Sequence, residues 1–327
     1  MSRTKNDMEF NPKFFLKNGL VQTLLPYVLL KKTSLKGTIE HFVQLDDGDE
    51  ISLLENKPLK NNGKLVLLIH GLGSSAHDLV VRNTANEFLS NNYTVYRMNH
   101  RGVANGASRA RHIYHGGRHE DVLAIVKYIT GNLQKDEKLS IIAFSLSSNI
   151  LFLSAAKNSS SFGEISGIVG VSPVFDLKSS SKAISTKYFG YFNFVFMKSI
   201  KKYFATKEKF NTVIVHPDFK LNKLLCEFDD KFVAPAAGYD DGESYYRSVT
   251  ALPVLHEIRI PASVICASDD PIAVSEHHLC YPENITTIRT RNGGHLGFMN
   301  GFRDQQTWLN RTLFRIIENN FNKKMEQ

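Results

Sequence analysis

The sequence predicts an α/β protein built on a mostly parallel, eight-stranded sheet with helices on both faces. Short, continuous apolar runs recur along the chain, as strands buried on both faces require. Segments with apolar residues at helical spacing separate them, the alternation of a wound parallel sheet. The 327 residues are 42% hydrophobic, which is ample for a core.

Residues 1–36 read as an irregular N-terminal arm with short helical pieces, ending near Lys31-Lys32. Residues 37–327 read as one domain. From Gly37 the chain alternates through Ile39, Phe42, Val43 and Leu45. It turns at Asp46-Asp47-Gly48-Asp49 and resumes with Ile51 and Leu53, a β-hairpin pattern. Residues 64–69 form an apolar run suited to a buried parallel strand, and further strands are expected at 93–96, 139–144, 167–171, 262–266 and 285–288. Between them, 121–129 carries apolar residues at helical spacing, and 149–156 is apolar nearly all round, as a helix packed under a sheet would be. Residues 305–321 read as a closing amphipathic helix. About 178–250 breaks the alternation between the sixth and seventh strands, and is expected to be a cap insertion over the site.

Formal charge is +8, but the lysines are scattered, and no zinc-finger spacing or RNA-binding aromatic motif accompanies them. No nucleic-acid partner is expected. Cys226, Cys266 and Cys280 lie far apart without a CxxC pair, the pattern of reduced thiols. Residues 14–30 are the most apolar part of the N-terminus, but Lys17, Asn18, Gln22 and Pro26 interrupt them, so no spanning helix is expected. A cytoplasmic, soluble protein is the expectation.

Three residues carry the chemistry. Ser145 follows the run ending at Phe144, Asp270 follows a later apolar run, and His295 follows the last, flanked by Gly293-Gly294 and Gly297. The order Ser, Asp, His, each ending a strand, is that of a nucleophile, an orienting acid and a base on a parallel sheet. A serine hydroxyl attacks only when a base takes its proton. The acid fixes the imidazole tautomer and stabilises the imidazolium. Asp269 is adjacent to Asp270 and could fill the same role; Asp270 precedes a turn proline and is preferred. An oxyanion needs two backbone N–H groups. Leu146 follows the nucleophile, and Leu72 lies in His70-Gly71-Leu72-Gly73 after the third strand; these two amides are assigned, with His70 structural.

Two other patterns compete. His112, His115 and His119 have metal-like spacing, but Gly116-Gly117 interrupts any helix that would align them, so no metal site and no organic cofactor is expected. The stretch from Lys187 to Phe210 is rich in aromatics and lysines, including Phe189, Phe194, Phe196, Lys198 and Lys201. It suits an acyl pocket, peripheral contact with a lipid surface, or plain packing of the cap.

Taken together these stretches resemble the α/β-hydrolase-4 (YheT-like) family of carboxylesterases, relatives of the animal abhydrolase-domain lipases. The resemblance spans about residues 10–320. It includes Asn11-Pro12, Gln22-Thr23-Leu24-Leu25-Pro26, His70-Gly71-Leu72, Asn99-His100-Arg101-Gly102, Tyr114-His115-Gly116-Gly117 and Val171-Ser172-Pro173. Phe228-Asp229-Asp230, Gly238-Tyr239, Tyr245-Tyr246, Asp269-Asp270-Pro271 and Gly293-Gly294-His295-Leu296-Gly297-Phe298 complete it. It implies the α/β-hydrolase fold, and its triad carries over onto Ser145, Asp270 and His295. The chain departs at the nucleophile, where Ala143, Ser147 and Ser148 stand in place of the family's glycines.

The expected activity is a serine hydrolase cleaving small-molecule or lipid esters, of short-to-medium or lipid acyl chains, through an acyl-enzyme. The alternative is a catalytically weak or inactive hydrolase-fold protein acting as a ligand-binding or regulatory protein.

Overall fold

A computed structural model of the chain describes residues 9–31, 33–210, 224–274, 276, 278–302, 304 and 306–325. Residues 1–8 and Lys32 of the expected arm, and 211–223 of the expected cap, lie outside these.

Eight strands form one sheet: β1 (Ile39–Gln44), β2 (Glu50–Asn56), β3 (Lys64–Ile69), β4 (Thr94–Met98), β5 (Lys138–Phe144), β6 (Gly167–Val171), β7 (Ala262–Ala267) and β8 (Ile285–Thr290). Their order is β1-β2-β4-β3-β5-β6-β7-β8. The hairpin β1–β2 and the β2–β4 pair are antiparallel, and all other pairs are parallel. The expected strands are all present and the sheet is mostly parallel, as the apolar runs indicated.

Side-chain alternation divides the central strands between two cores. Leu65, Leu67 and Ile69 of β3, with Leu139 and Ile141 of β5, meet α3 (His119–Thr130) and α4 (Leu146–Lys157) through Val122, Ile125, Ile150 and Phe152. Val66, Leu68, Ile142 and Phe144 point the other way, toward α2 (Leu79–Ser90) and α11 (Thr307–Met325), meeting Val80, Phe88, Leu309 and Leu313. Each such side chain contributes about 1.5–3 kcal/mol on burial. A sheet covered on both faces needs apolar residues at both phases of the strand period, hence the unbroken runs.

The N-terminal segment is more ordered than the arm expected from sequence. A 3₁₀ turn (Phe14–Leu16) leads into α1 (Gly19–Leu29), whose N-cap Asn18 accepts the Val21 N–H at 3.1 Å. A single turn, α5 (Ser159–Phe162), follows α4. Between β6 and β7 the chain leaves the sheet through α6 (Leu177–Thr186) and α7 (Tyr191–Lys209). It returns through α8 (Leu225–Phe228), a π turn (Asp229–Val233), α9 (Ala234–Ala236) and α10 (Gly242–Val249). This excursion has its own core, in which Leu177, Ile184, Phe192, Ile200, Phe228 and Tyr245 pack with Val174 and Ile272 at the sheet's edge. Among the described residues, no helix is long and apolar enough to cross a membrane.

Arg101, after β4, anchors the turn beneath this excursion. Its guanidinium is buried, donates to both oxygens of Asp121 and reaches Asp47 at 2.7 Å and Asp49 at 2.8 Å. Removing the cation alone leaves buried carboxylates uncompensated, a loss of about 3–5 kcal/mol. Arg101→Met is therefore expected to lower the unfolding free energy by that amount, read as a lower urea midpoint with the denaturant slope unchanged.

Candidate active site

Ser145, Asp270 and His295 converge at the C-terminal ends of the parallel strands, where ligands bind in open α/β sheets. Ser145 lies between β5 and α4 with φ 56° and ψ −127°, a conformation held by the sharp strand-to-helix turn. Its N–H donates to Val171 O at 2.9 Å. The hydroxyl lies 2.9 Å from Nε2 of His295, and Nδ1 of that ring lies 2.8 Å from Oδ2 of Asp270. All three residues are less than a tenth exposed. Oδ1 of Asp270 accepts the N–H groups of Ile272 and Ala273 at 2.8 and 2.9 Å, fixing the carboxylate. With Nδ1–H donated to Asp270, Nε2 is left to accept the Ser145 proton.

The neighbouring Asp269 faces elsewhere. It accepts the Gly294 N–H at 2.8 Å and the Asn292 side chain at 3.2 Å, and burial raises its pKa. The geometry thus puts Asp270, and not Asp269, against the imidazole.

The turn around Ser145 tolerates its missing glycines because the loop after β3 and the neighbouring strand β6 supply them. A Cβ on Gly71 would stand 2.9 Å from the Ser145 Cβ, and one on Gly170 would stand 3.1 Å from the Ser148 Cβ. The two serines are bonded as well as accommodated. Ser148 Oγ donates to Ala143 O at 2.9 Å. Ser147 Oγ donates to His70 O and lies 2.7 Å from Nε2 of His100. His70 donates from Nδ1 to Gly71 O at 2.8 Å and accepts the His100 N–H on Nε2 at 3.2 Å. Burial pushes its pKa down to about 4 and pushes that of His100 well down too, so both rings are neutral spacers. The amides of Leu72 and Leu146 donate to no acceptor among the described residues, and both residues line the cavity in front of Ser145.

That cavity has a volume of about 670 Å³, within the range of small-molecule sites. The oxyanion-side loop forms one wall; Val174, Leu177, Ile200, Phe228 and Tyr245 form much of the rest. The excursion is tied to the loop where Ser199 Oγ donates to Gly73 O at 2.6 Å. It is tied again where Tyr245 accepts the Gly116 N–H at 2.9 Å and Asn149 donates to Val249 O at 2.8 Å.

The three histidines with metal-like spacing are held apart by their own contacts. His112 pairs with Asp49 at 3.1 Å, and His115 accepts the Gly117 N–H on Nδ1 at 3.1 Å. Burial pushes the His115 pKa down to about 3. His119 opens α3 beyond the glycine pair. Among the described residues, a close group of potential ligands forms at Asp47, Asp49 and His112, where the Arg101 guanidinium already binds both carboxylates.

What sequence reasoning missed is α1. Thr23 Oγ1 accepts the His295 N–H at 2.9 Å and donates to Gly19 O at 2.6 Å. Gln22, wholly buried, donates to Leu16 O and Met299 O at 3.0 and 2.9 Å and accepts the Met299 N–H at 2.9 Å. Gly294 has φ +57°, and a Cβ there would stand 2.7 Å from Thr23 Oγ1. Gly294 and Gly297 admit α1 to the loop, since a Cβ on either would collide with Gly19 O or Gln22 O. The signal was present: Gln22 and Thr23 interrupt an apolar stretch without facing water.

A family model for the alpha/beta hydrolase fold matches residues 64–302, and the chain belongs to that family. Its similarity to individual members runs nearly end to end. The Escherichia coli (strain K12) protein named "Putative esterase YheT" is 26% identical over 92% of this chain and 90% of its own. Human "Monoacylglycerol lipase ABHD2" is 22% identical over 92% of this chain and 77% of its own. The Pyrococcus furiosus esterase Pf2001 superposes with a TM-score of 0.53 at 17% identity, covering 89% of this chain and 95% of that one, a likeness of fold. The resemblance read from the sequence motifs is therefore borne out.

Thr23 touches the His295 backbone and not its ring. Thr23→Val leaves a buried N–H unpaired, costing about 1–3 kcal/mol locally, and is expected to slow fluorophosphonate labelling of Ser145 roughly 10- to 100-fold. Thr23→Ser is expected to restore the rate, whereas a purely packing role would leave Thr23→Val the better substitute.

Proposed function

We propose that this chain is a serine hydrolase of carboxylic esters that works through an acyl-enzyme. The observation that carries this is the continuous relay from Ser145 Oγ to His295 Nε2 at 2.9 Å and from His295 Nδ1 to Asp270 at 2.8 Å. Esterase and lipase names among its relatives support the same chemistry. In the first half-reaction Ser145 Oγ attacks the ester carbonyl as His295 takes its proton. The Leu72 and Leu146 amides receive the oxyanion, and the imidazolium protonates the departing alcohol. Water then attacks the acyl-enzyme with His295 as base, releasing acid and Ser145. Asp270 keeps the imidazole in its tautomer and is not itself protonated.

The largely apolar cavity suits a short-to-medium or lipid acyl chain, with about 178–250 as its cap. Within the cap, Phe189, Phe194 and Val195 are exposed beside Lys198, Lys201 and Lys202, which supports peripheral contact with an anionic lipid surface. Sedimentation with anionic vesicles should show binding that weakens as salt rises. Salt-independent or absent binding removes the electrostatic surface role and leaves those residues to packing.

The decisive experiment on the hydrolase reading is fluorophosphonate labelling of wild type, Ser145→Ala and His295→Ala. Labelling of wild type alone is expected, and Asp270→Asn should cut ester turnover by about 10⁴-fold. Folded wild type that takes no label returns the protein to the ligand-binding or regulatory reading.

A further inference from the structure

The cavity in front of Ser145 is not uniformly apolar. Asp229, first residue of the π turn, lines it, as do Ser180 and Ser181 of α6 and Tyr246 of α10. Oδ2 of Asp229 accepts the Ser181 hydroxyl at 2.9 Å and lies 2.7 Å from the Tyr246 hydroxyl. Its other oxygen, Oδ1, receives no hydrogen bond among the described residues, and burial pushes its pKa up to about 6. The residue keeps some accessible surface, and that surface opens into the cavity.

Ser180 gives a second, independent sign. It is 1% exposed, and its hydroxyl has no partner among the described residues. Holding α6 to α10 explains Ser181, Tyr246 and one carboxylate oxygen. It does not explain a free Oδ1 or an unpaired hydroxyl. A wholly apolar substrate filling the cavity would cover the Asp229 carboxylate without satisfying it and would leave the Ser180 hydroxyl unpaired.

We propose that Asp229 and Ser180 form a polar subsite that receives a hydrogen-bond-donating group, a hydroxyl or an ammonium, carried on the substrate away from the scissile ester. Asp229 Oδ1 accepts from that group, and Ser180 Oγ supplies a second contact. Phe228, Tyr245 and Tyr246 line the same cavity, and aromatic rings attract a cation more than a plain hydrocarbon. The inference rests on the hydrolase reading above and adds to it a substrate class: esters with a polar end.

The test compares kcat/KM for p-nitrophenyl esters of short-to-medium acids ending in methyl, hydroxyl or ammonium. A second series places the same ends on the alcohol side of butyrate esters. Wild type should prefer a polar end in one series by about tenfold or more at the best chain length, a difference of about 1.4 kcal/mol. Asp229→Leu should abolish that preference. Asp229→Asn distinguishes the two donors: an ammonium preference is lost, whereas a hydroxyl preference is largely kept. Ser180→Ala should weaken the polar preference with the carboxyl in place, and stands in if Asp229→Leu does not fold by circular dichroism. Wild type that takes the fluorophosphonate label but shows the same ratio as Asp229→Leu and Ser180→Ala overturns the subsite alone. Wild type that takes no label overturns the hydrolase reading beneath it.

Discussion

The arrangement of the site depends on a place where two stretches of backbone touch with no side chains between them. A Cβ on Gly294 or Gly297 would collide with carbonyl oxygens of α1, and one on Gly19 would collide with Asp269. Close contact lets Thr23 hold the His295 N–H and lets Gln22 bridge Leu16 and Met299. It also brings Asp269 to the Gly294 amide, which steadies the loop carrying Asp270. The imidazole is thereby oriented from two sides, by a carboxylate on its ring and by a threonine on its backbone. Loops at strand ends are free to vary unless something clamps them, and here the N-terminal helix is the clamp. Its described residues pack directly against the loop that carries His295.

The turn carrying Ser145 shows the same division of labour. Strain at φ 56° aims the hydroxyl out of the sheet, and space for the turn comes from Gly71 in the loop after β3 and Gly170 on β6. Replacement of the family's glycines at Ala143, Ser147 and Ser148 therefore leaves the reacting atoms in register. The serines find acceptors in His70 O and Ala143 O, so no buried hydroxyl is stranded there.

Much of this was legible in the sequence, for identifiable reasons. Strands buried on both faces leave unbroken apolar runs, which placed the central strands, alternation about a turn placed the β1–β2 hairpin, and α3, α4 and α11 showed their helical spacing. The order of Ser145, Asp270 and His295 at strand ends pointed to one site because a parallel sheet gathers its C-terminal ends. The choice between Asp269 and Asp270 needed coordinates, since adjacent residues at a turn point in opposite directions. Gln22 looked like an interruption because polarity in a linear pattern reads as exposure. Inside the fold it is wholly buried, its polar groups paired with backbone. Asp229 was hidden likewise: beside Asp230 it resembles a solvated acidic pair, and only the packing of α6 against α10 turns it inward. The excursion between β6 and β7 showed no strand–helix alternation, so its helices were not placed one by one.

Ser147 couples the turn at the nucleophile to a buried imidazole. Its hydroxyl is shared with His70 O and His100 Nε2, in a stack that continues from His100 to Tyr114 at 4.9 Å. A serine there is no longer a neutral stand-in for glycine, because a buried imidazole has come to depend on it. Restoring glycine alone would leave the His100 Nε2–H with only a longer 3.2 Å contact to His70 O. Ser147 and His100 therefore form one unit, and an exchange at either position is felt at the other.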